Sequence, residues 1–123
     1  TGFSATITPK FNTSKILVKA VIYNSNANAV NFFRALRGST FIEQPSGTSS
    51  SGASYNAHAF AYYNADNWQD STTIEILDSP TTTSATTYKM QMGVSSNTGT
   101  INKFYGTSNY YGISTLTLYE VSA

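Results

Sequence analysis

Short runs of alternating or β-branched residues recur along the whole chain, separated by clusters of glycine, asparagine, serine and proline. This spacing predicts strands joined by turns, as in a β-sandwich or a barrel. No window of ten or more residues has the apolar period of a helix, so helices should be short or absent. About eight strands are indicated, among nine candidate segments: Phe3 to Thr8, Lys15 to Tyr23, Val30 to Arg37, Thr40 to Glu43, Ala57 to Tyr62, Thr72 to Leu77, Thr86 to Val94, Thr100 to Phe104 and Ile113 to Val121.

Side-chain parity predicts that two of these strands are apolar on both faces, because successive side chains of a strand point to opposite sides. One face of the second segment carries Ile16, Val18, Ala20 and Ile22, and the other carries Leu17, Val21 and Tyr23. The last segment repeats the pattern, with Leu116 and Leu118 opposite Tyr119 and Val121. In a single sandwich the second face would be wet, so the pattern predicts a subunit interface.

The connections also carry recognisable signals. The Ser/Gly-rich stretch Pro45 to Ser54 cannot bury apolar area, which predicts a mobile loop. Asn24 to Asn28 predicts a turn, since asparagine tolerates positive φ. Ser79-Pro80 should end the preceding strand, because proline lacks a ladder donor.

Composition narrows the class of protein. The 123 residues suit one all-β domain, and only 11% of them are charged, with seven basic against six acidic residues. No basic cluster indicates nucleic-acid binding, and no apolar run approaches the ~20 residues of a membrane span. There is no cysteine for a disulfide or a thiolate centre. The chain begins at Thr1 without an initiator methionine, so we expect a C-terminal fragment of a longer chain.

Three pieces of the sequence resemble a C-terminal module of tail-fibre and structural proteins of tailed phages, including those of cyanobacteria. They are SATITPKFNTSKILVKAVI, ILDSPTTTSATTYKMQM and GISTLTLYEV, in this order, and they cover somewhat under half of the chain. The resemblance implies an antiparallel jelly-roll sandwich, similar to C1q and tumour-necrosis-factor-like heads, that forms a homotrimer at the tip of a virion fibre. The stretches 30–68 and 97–111 lie outside the resemblance, which therefore indicates the scaffold and not the ligand.

The stretch His58 to Asp70 is the first candidate ligand site, because aromatic faces flanked by planar polar groups suit a sugar ring. A second aromatic group, Phe104-Tyr105 and Tyr110-Tyr111, is predicted to flank a short hairpin turn. The candidate ligand-binding residues are Tyr63, Asp66, Asn67, Trp68, Asp70, Tyr105, Asn109 and Tyr110. In the alternative interpretation, Phe60 and Tyr62 alternate into the core and Trp68 closes the sandwich end.

Other polar residues favour structural roles. Arg34 and Arg37 have opposite parity, and Arg34 is predicted to pair with Glu75 or Glu120. Glu75 and Asp78 face opposite sides of a strand, so they do not form the facing carboxylates of a glycosidase. No cofactor is expected. His58 is expected to be a packed imidazole, although three copies on a three-fold axis would provide the ligands of a metal site.

The sequence thus predicts a non-catalytic attachment domain of an extracellular virion appendage. Its expected partners are two further copies of itself, the rest of the fibre chain, and a host-surface glycan or protein. Two alternatives stay open: a purely structural trimerisation cap, and a free lectin-like carbohydrate-binding module.

Overall fold

The computed structural model describes residues 3–43, 56–64, 68–104, 106 and 109–122. These residues contain nine strands and no helix. The strands are β1 (Ser4–Ile7), β2 (Lys15–Ser25), β3 (Val30–Arg37), β4 (Thr40–Phe41), β5 (Ala59–Tyr62), β6 (Gln69–Asp78), β7 (Thr86–Val94), β8 (Thr100–Ile101) and β9 (Thr115–Val121).

The strands form two antiparallel sheets, which we call the first and the second sheet. In the first sheet β7 lies between β1 and β3, and the other edge of β3 pairs with β4 and β5. In the second sheet β2 is central, with β6 on one side and both β8 and β9 on the other. The predicted all-β antiparallel sandwich is confirmed, whereas the jelly-roll winding and the trimer stay predictions.

The core between the sheets follows the predicted parity. Ile16, Val18, Ala20 and Ile22 of β2 are completely buried, and Phe33 of β3 and Tyr88 of β7 face them from the first sheet. Burying each isoleucine, valine or phenylalanine side chain contributes about 1.5–3 kcal/mol before the entropy cost is counted. The β-branched residues suit this position because their stiff side chains pack well on a pleated surface.

A partly buried polar cluster joins the two sheets at the end opposite to the β2–β3 turn. Nη1 of Arg37 donates to both carboxylate oxygens of Asp78, at 2.9 and 2.7 Å, and the hydroxyl of Tyr88 donates to the same carboxylate at 2.7 Å. Burial, followed by the hydrogen bond to Asp78, raises the pKa of Tyr88. The cluster therefore fixes β6 of the second sheet against β3 and β7 of the first.

Strand boundaries differ from the predicted ones mainly near asparagine. The pairing of β2 with β6 runs from Ile16 opposite Asp78 to Ser25 opposite Gln69, so β2 continues through Asn24 and β6 starts three residues before Thr72. The predicted turn at Asn24 therefore begins only at Asn26, although Asn28 has the expected positive φ of 49°. Asp78 ends β6 immediately before Ser79-Pro80, as predicted. The loop prediction for 45–54 lies outside the described residues.

Candidate recognition surface

Three connections leave the sheets at one end of the sandwich, which we call the loop end, and a fourth begins beside it. Ser25, the last residue of β2, pairs with Gln69 on one side and with Thr100 on the other. Val30, the first residue of β3, pairs with Tyr62 at the end of β5. The β2–β3, β5–β6 and β7–β8 connections therefore leave their strands at this end, while the β8–β9 connection starts beside it, since β9 begins opposite Val21 of β2. This convergence brings together sequence segments that lie more than 70 positions apart.

A network of buried asparagines supports the loop end. The side-chain amide of Asn26 donates to the side-chain oxygen of Asn31 at 2.7 Å. The side-chain amide of Asn31 donates in turn to the side-chain oxygen of Asn24 at 2.9 Å. The amide of Asn24 then donates to the hydroxyl of Thr72 at 3.0 Å. All three asparagine side chains are completely buried. Each amide is paired, which is what makes burial of these polar groups tolerable in a core.

Tyr63 belongs to this buried network and not to the exposed surface. Its side chain is 1% exposed, and its hydroxyl donates to the backbone and side-chain oxygens of Asn24, both at 2.8 Å. Burial, together with the nearby charge of Asp70, raises its pKa to about 12. Tyr63 therefore joins the β5–β6 connection to β2 and is not among the exposed candidates.

Of the other residues of the first candidate site, two are exposed and two lie outside the described residues. Trp68 is 63% exposed immediately before β6. Asp70 is exposed within β6, and its carboxylate accepts a hydrogen bond from the amide of Ser71 at 2.7 Å. Asp66 and Asn67 lie outside the described residues. The alternative in which Trp68 closes the sandwich end is wrong, because its ring faces solvent in this chain.

The second candidate group lies in a hairpin between β8 and β9, as predicted. Lys103 pairs with Tyr111, and the amide of Phe104 donates to the carbonyl of Tyr110 at 3.1 Å. The Phe104 ring is buried and meets the Tyr110 ring edge to face, with centroids 6.0 Å apart. Tyr110 is 68% exposed and Tyr111 is 70% exposed. Asn109 is exposed beside them, and Tyr105 lies outside the described residues.

The base of this hairpin is fixed to the central strand of the second sheet. The amide of Asn102 donates to the carbonyl of Tyr23 at 2.9 Å, and the amide of Tyr23 donates to the hydroxyl of Ser114 at 3.0 Å. Gly112 lies against the Tyr23 ring, where a Cβ atom would come within 2.7 Å of a ring carbon. The hairpin and Trp68 therefore flank the end of β2 from opposite sides.

The outer face of the second sheet is apolar, as the parity of its strands predicts. Leu17 lies directly between Leu77 of β6 and Tyr119 of β9, and both neighbours are exposed. Val21 and Tyr23 continue this face along β2. The charges of Lys19 and Glu75 on this face neutralise each other, because the Lys19 ammonium lies 3.1 Å from the Glu75 carboxylate.

The outer face of the first sheet carries aromatic residues that the sequence interpretation placed elsewhere. Phe60 pairs with Phe32, and Tyr62 pairs with Val30. Phe60 is 53% exposed and Tyr62 is 69% exposed, so the alternative interpretation, in which they alternate into the core, is wrong. The small residues Ala59 and Ala61 take the inward positions of β5. The alternation of small and large residues along β5 was the available signal. Assigning the large aromatic residues to the core placed them on the wrong face of the sheet.

Arg34 also lies on this outer face, and its predicted pairing with Glu75 or Glu120 is wrong. Glu75 contacts Lys19 on the second sheet, and Glu120 accepts a hydrogen bond from the amide of Lys10 at 2.6 Å. The guanidinium carbon of Arg34 instead lies 5.0 Å from the Phe41 ring centroid and 5.8 Å from that of Phe32. These are cation–π distances.

The polar groups considered for catalysis and metal binding are engaged in the structure. Nδ1 of His58 accepts from the amide of Ala35 at 3.2 Å, so Nε2 carries the proton and donates to the carbonyl of Ile42 at 2.6 Å. Neither ring nitrogen then offers a lone pair to a metal. Within the described residues there is no pocket, no group of three metal-ligating side chains, and no helix long and apolar enough to cross a bilayer.

Comparison of the sequence with protein-family models and with curated proteins finds no match.

Proposed function

We propose that this domain is the receptor-binding tip of a phage tail fibre or related virion appendage, which attaches to glycans of the host cell surface. The observation that carries this proposal is the exposure of Trp68, Tyr110 and Tyr111 on the two sides of the end of β2. Exposed aromatic rings with few rotatable bonds supply contact area at low entropic cost. A sugar ring would pack its C–H face on these rings and bond its hydroxyls to polar neighbours such as Asn109 and Asp70.

The frame beneath these rings supports the same proposal. The hydroxyl of Tyr63 attaches the β5–β6 connection to the buried Asn24 of β2, and the amide of Asn102 attaches the β8–β9 connection to Tyr23 of the same strand. A binding surface held in its bound geometry loses less entropy on association than a mobile one. Loop-borne side chains on a rigid scaffold are a common arrangement for recognition.

Self-association into a trimer belongs to this proposal. The apolar outer face around Leu17, Leu77 and Tyr119 supports it, because an exposed face of this kind marks an interaction site. In both sheets, hydrogen-bonded neighbours such as β2 and β9 are distant in sequence, which supports a jelly-roll winding. Three loop ends would then bind weakly but together, since second and third contacts are effectively intramolecular.

The solution mass by light scattering tests the trimer. We expect a mass of three chains for the wild type, and a mass of one chain for Leu17→Asp, which places a charge at the centre of the apolar row. Gln91→Asp adds the same charge to the outer face of the other sheet and should stay trimeric. A wild-type mass of one chain would contradict the trimer and would favour the free lectin-like module.

The purely structural cap is the second candidate, and the same apolar face favours it. A glycan array separates it from attachment, with labelled intact protein applied at low and moderate salt. Retention on specific glycans, lost when the free sugar is added, is the expected result. An array that stays blank, together with no retention on a panel of bacterial cells, would contradict attachment and leave the cap.

A further inference from the structure

The outer face of the first sheet has an unusual distribution of charge. No aspartate or glutamate occurs in β1, β3, β4, β5 or β7, whereas β6 and β9 of the second sheet carry Asp70, Glu75, Asp78 and Glu120. The five acid-free strands contain three basic residues. Arg37 points inward to Asp78, while Arg34 and Lys89 point outward, because they alternate with the core residues Phe33, Ala35, Tyr88 and Met90.

Arg34 is held by stacking and not by an ion pair. Its guanidinium lies near the Phe41 and Phe32 rings, and it forms no hydrogen bond or salt bridge to another described residue. The planar guanidinium has five N–H donors in a fixed fork, which matches a carboxylate in bidentate geometry. Stacking on rings restricts the side chain while leaving those donors available, so less entropy is lost when an anion binds.

The neighbours of Arg34 define the chemistry around it. Gln91 lies directly opposite on β7, and Lys89 lies opposite Leu36 on the same face. Phe60 of β5 lies opposite Phe32, two residues from Arg34 along β3, and its side chain is exposed. The face therefore offers two cations, an amide and an exposed ring within a few strand positions, where a carboxylate, hydroxyls and the C–H side of a sugar would find partners.

From these positions we infer that the Arg34 face, defined by Arg34, Phe41, Phe60, Lys89 and Gln91, binds carboxylate-bearing saccharides such as uronic acids. Arg34 receives the carboxylate, Lys89 adds charge, Gln91 bonds ring hydroxyls, and Phe60 stacks on the ring. The site is separate from the loop end. Its role as a host contact rests on the proposed attachment function, but its chemistry does not.

Two matched sugars test the inference directly, since D-galacturonate differs from D-galactose only at C6, where a carboxylate replaces the hydroxymethyl group. The isotope-labelled intact chain would be titrated with each sugar while the Nε–H of Arg34 and the side-chain amide of Gln91 are followed by NMR. We expect both signals to shift with galacturonate and not with galactose. Arg34→Lys keeps the charge but loses the bidentate fork and should raise Kd by about tenfold. Lys10→Gln removes one exposed charge elsewhere and should leave Kd unchanged.

Several outcomes would overturn the inference. Equal chemical-shift changes with galactose would show that the site does not recognise the carboxylate. If acetate binds as tightly as galacturonate, the sugar ring contributes nothing to binding and the site holds an adventitious ion only. A short acidic peptide that binds more tightly would reassign the face to a protein partner. If Arg34→Lys lowers the melting midpoint, Lys89→Gln provides the second variant, with a weaker but still measurable loss expected.

Failure here is distinguishable from failure of the proposed function. If Arg34→Gln abolishes galacturonate binding while the protein still binds its array glycans, both proposals stand as separate sites. If galacturonate never binds but array glycans are retained, this inference alone is wrong. If neither binds, both are wrong.

Discussion

The side-chain oxygen of Asn102 accepts two hydrogen bonds from Ser114, one from its backbone amide at 2.7 Å and one from its hydroxyl at 2.6 Å. Asn102 also has a φ of 60°, a conformation that asparagine adopts more readily than most residues. One residue thus closes the base of the hairpin that carries Tyr110 and Tyr111. Its side chain and its backbone conformation serve the same purpose.

Replacing this residue should loosen the hairpin. Asn102→Ala removes the acceptor and keeps an unfavourable φ, so we expect a loss of about 1–3 kcal/mol in the free energy of unfolding. Asn102→Gly relieves the φ but not the lost hydrogen bonds, so its loss should be smaller. Urea denaturation measures both. Asn109→Ala in the same hairpin is the control, with an expected change within about 0.5 kcal/mol. Equal stabilities for Asn102→Ala and wild type would contradict this role.

Gly93 makes room for the Phe32 ring on the outer face of the first sheet. A Cβ atom at this position would lie 2.1 Å from a ring carbon of Phe32, which no real contact allows. Gly93→Ala should therefore destabilise the fold by about 1–3 kcal/mol through overpacking. In a Phe32→Ala background the same substitution should cost much less, so the double-mutant cycle should show strong coupling. Additive effects would mean that the ring is not the obstacle.

The Arg37–Asp78 pair should matter far more than the exposed Lys19–Glu75 pair. Asp78 is buried and accepts from Arg37 and Tyr88, so Asp78→Asn leaves a cation without its partner. We expect a loss of about 3 kcal/mol in the free energy of unfolding. Glu75→Gln removes the same charge from an exposed pair and should cost less than about 1 kcal/mol. Similar losses in the two variants, measured by urea denaturation, would contradict the structural role of this cluster.

Tyr63 should make stability fall in alkaline solution. Its folded pKa is raised to about 12, whereas an unfolded tyrosine titrates near 10. Above the lower value the unfolded chain loses its proton first, so the folded state holds more protons and stability decreases as pH rises. The contribution is complete below about pH 10 and is lost towards about pH 12. Tyr63→Phe should flatten this decline, compared with Tyr110→Phe as an exposed control. Identical declines in both variants would contradict the buried hydroxyl.

The sequence predicted most of the fold because parity and β-branching act locally. Each of the nine candidate segments overlaps a strand, and the segment Lys15 to Tyr23 is apolar on both faces of β2, as predicted. The asparagines were harder to place, because Asn24 and Asn31 are buried only when the two sheets bring their amides together. That pairing depends on long-range contacts, which turn propensities do not contain.

The candidate site was predicted in part, for a related reason. Trp68, Asn109 and Tyr110 are exposed as expected, while Tyr63 is buried because its hydroxyl reaches Asn24 on the other sheet. Phe60 and Arg34 were misplaced because hydrophobicity and charge were taken as guides to burial and pairing. Phe60 instead lies on the outer face opposite Phe32 of the neighbouring strand, and Arg34 lies on the same face near the Phe32 ring of its own strand.

The most direct test of attachment through the loop end compares glycan binding by two variants of the intact protein. In the first, Trp68, Tyr110 and Tyr111 are all changed to alanine; in the second, the exposed Phe11, outside the loop end, is changed to alanine. We predict that the first variant stays folded by circular dichroism but loses at least about tenfold in affinity for a glycan that the wild type retains, since each stacked ring contributes roughly 1 kcal/mol or more. The second variant should bind like the wild type. Undiminished binding by the first variant would contradict the claim that the loop end recognises the host.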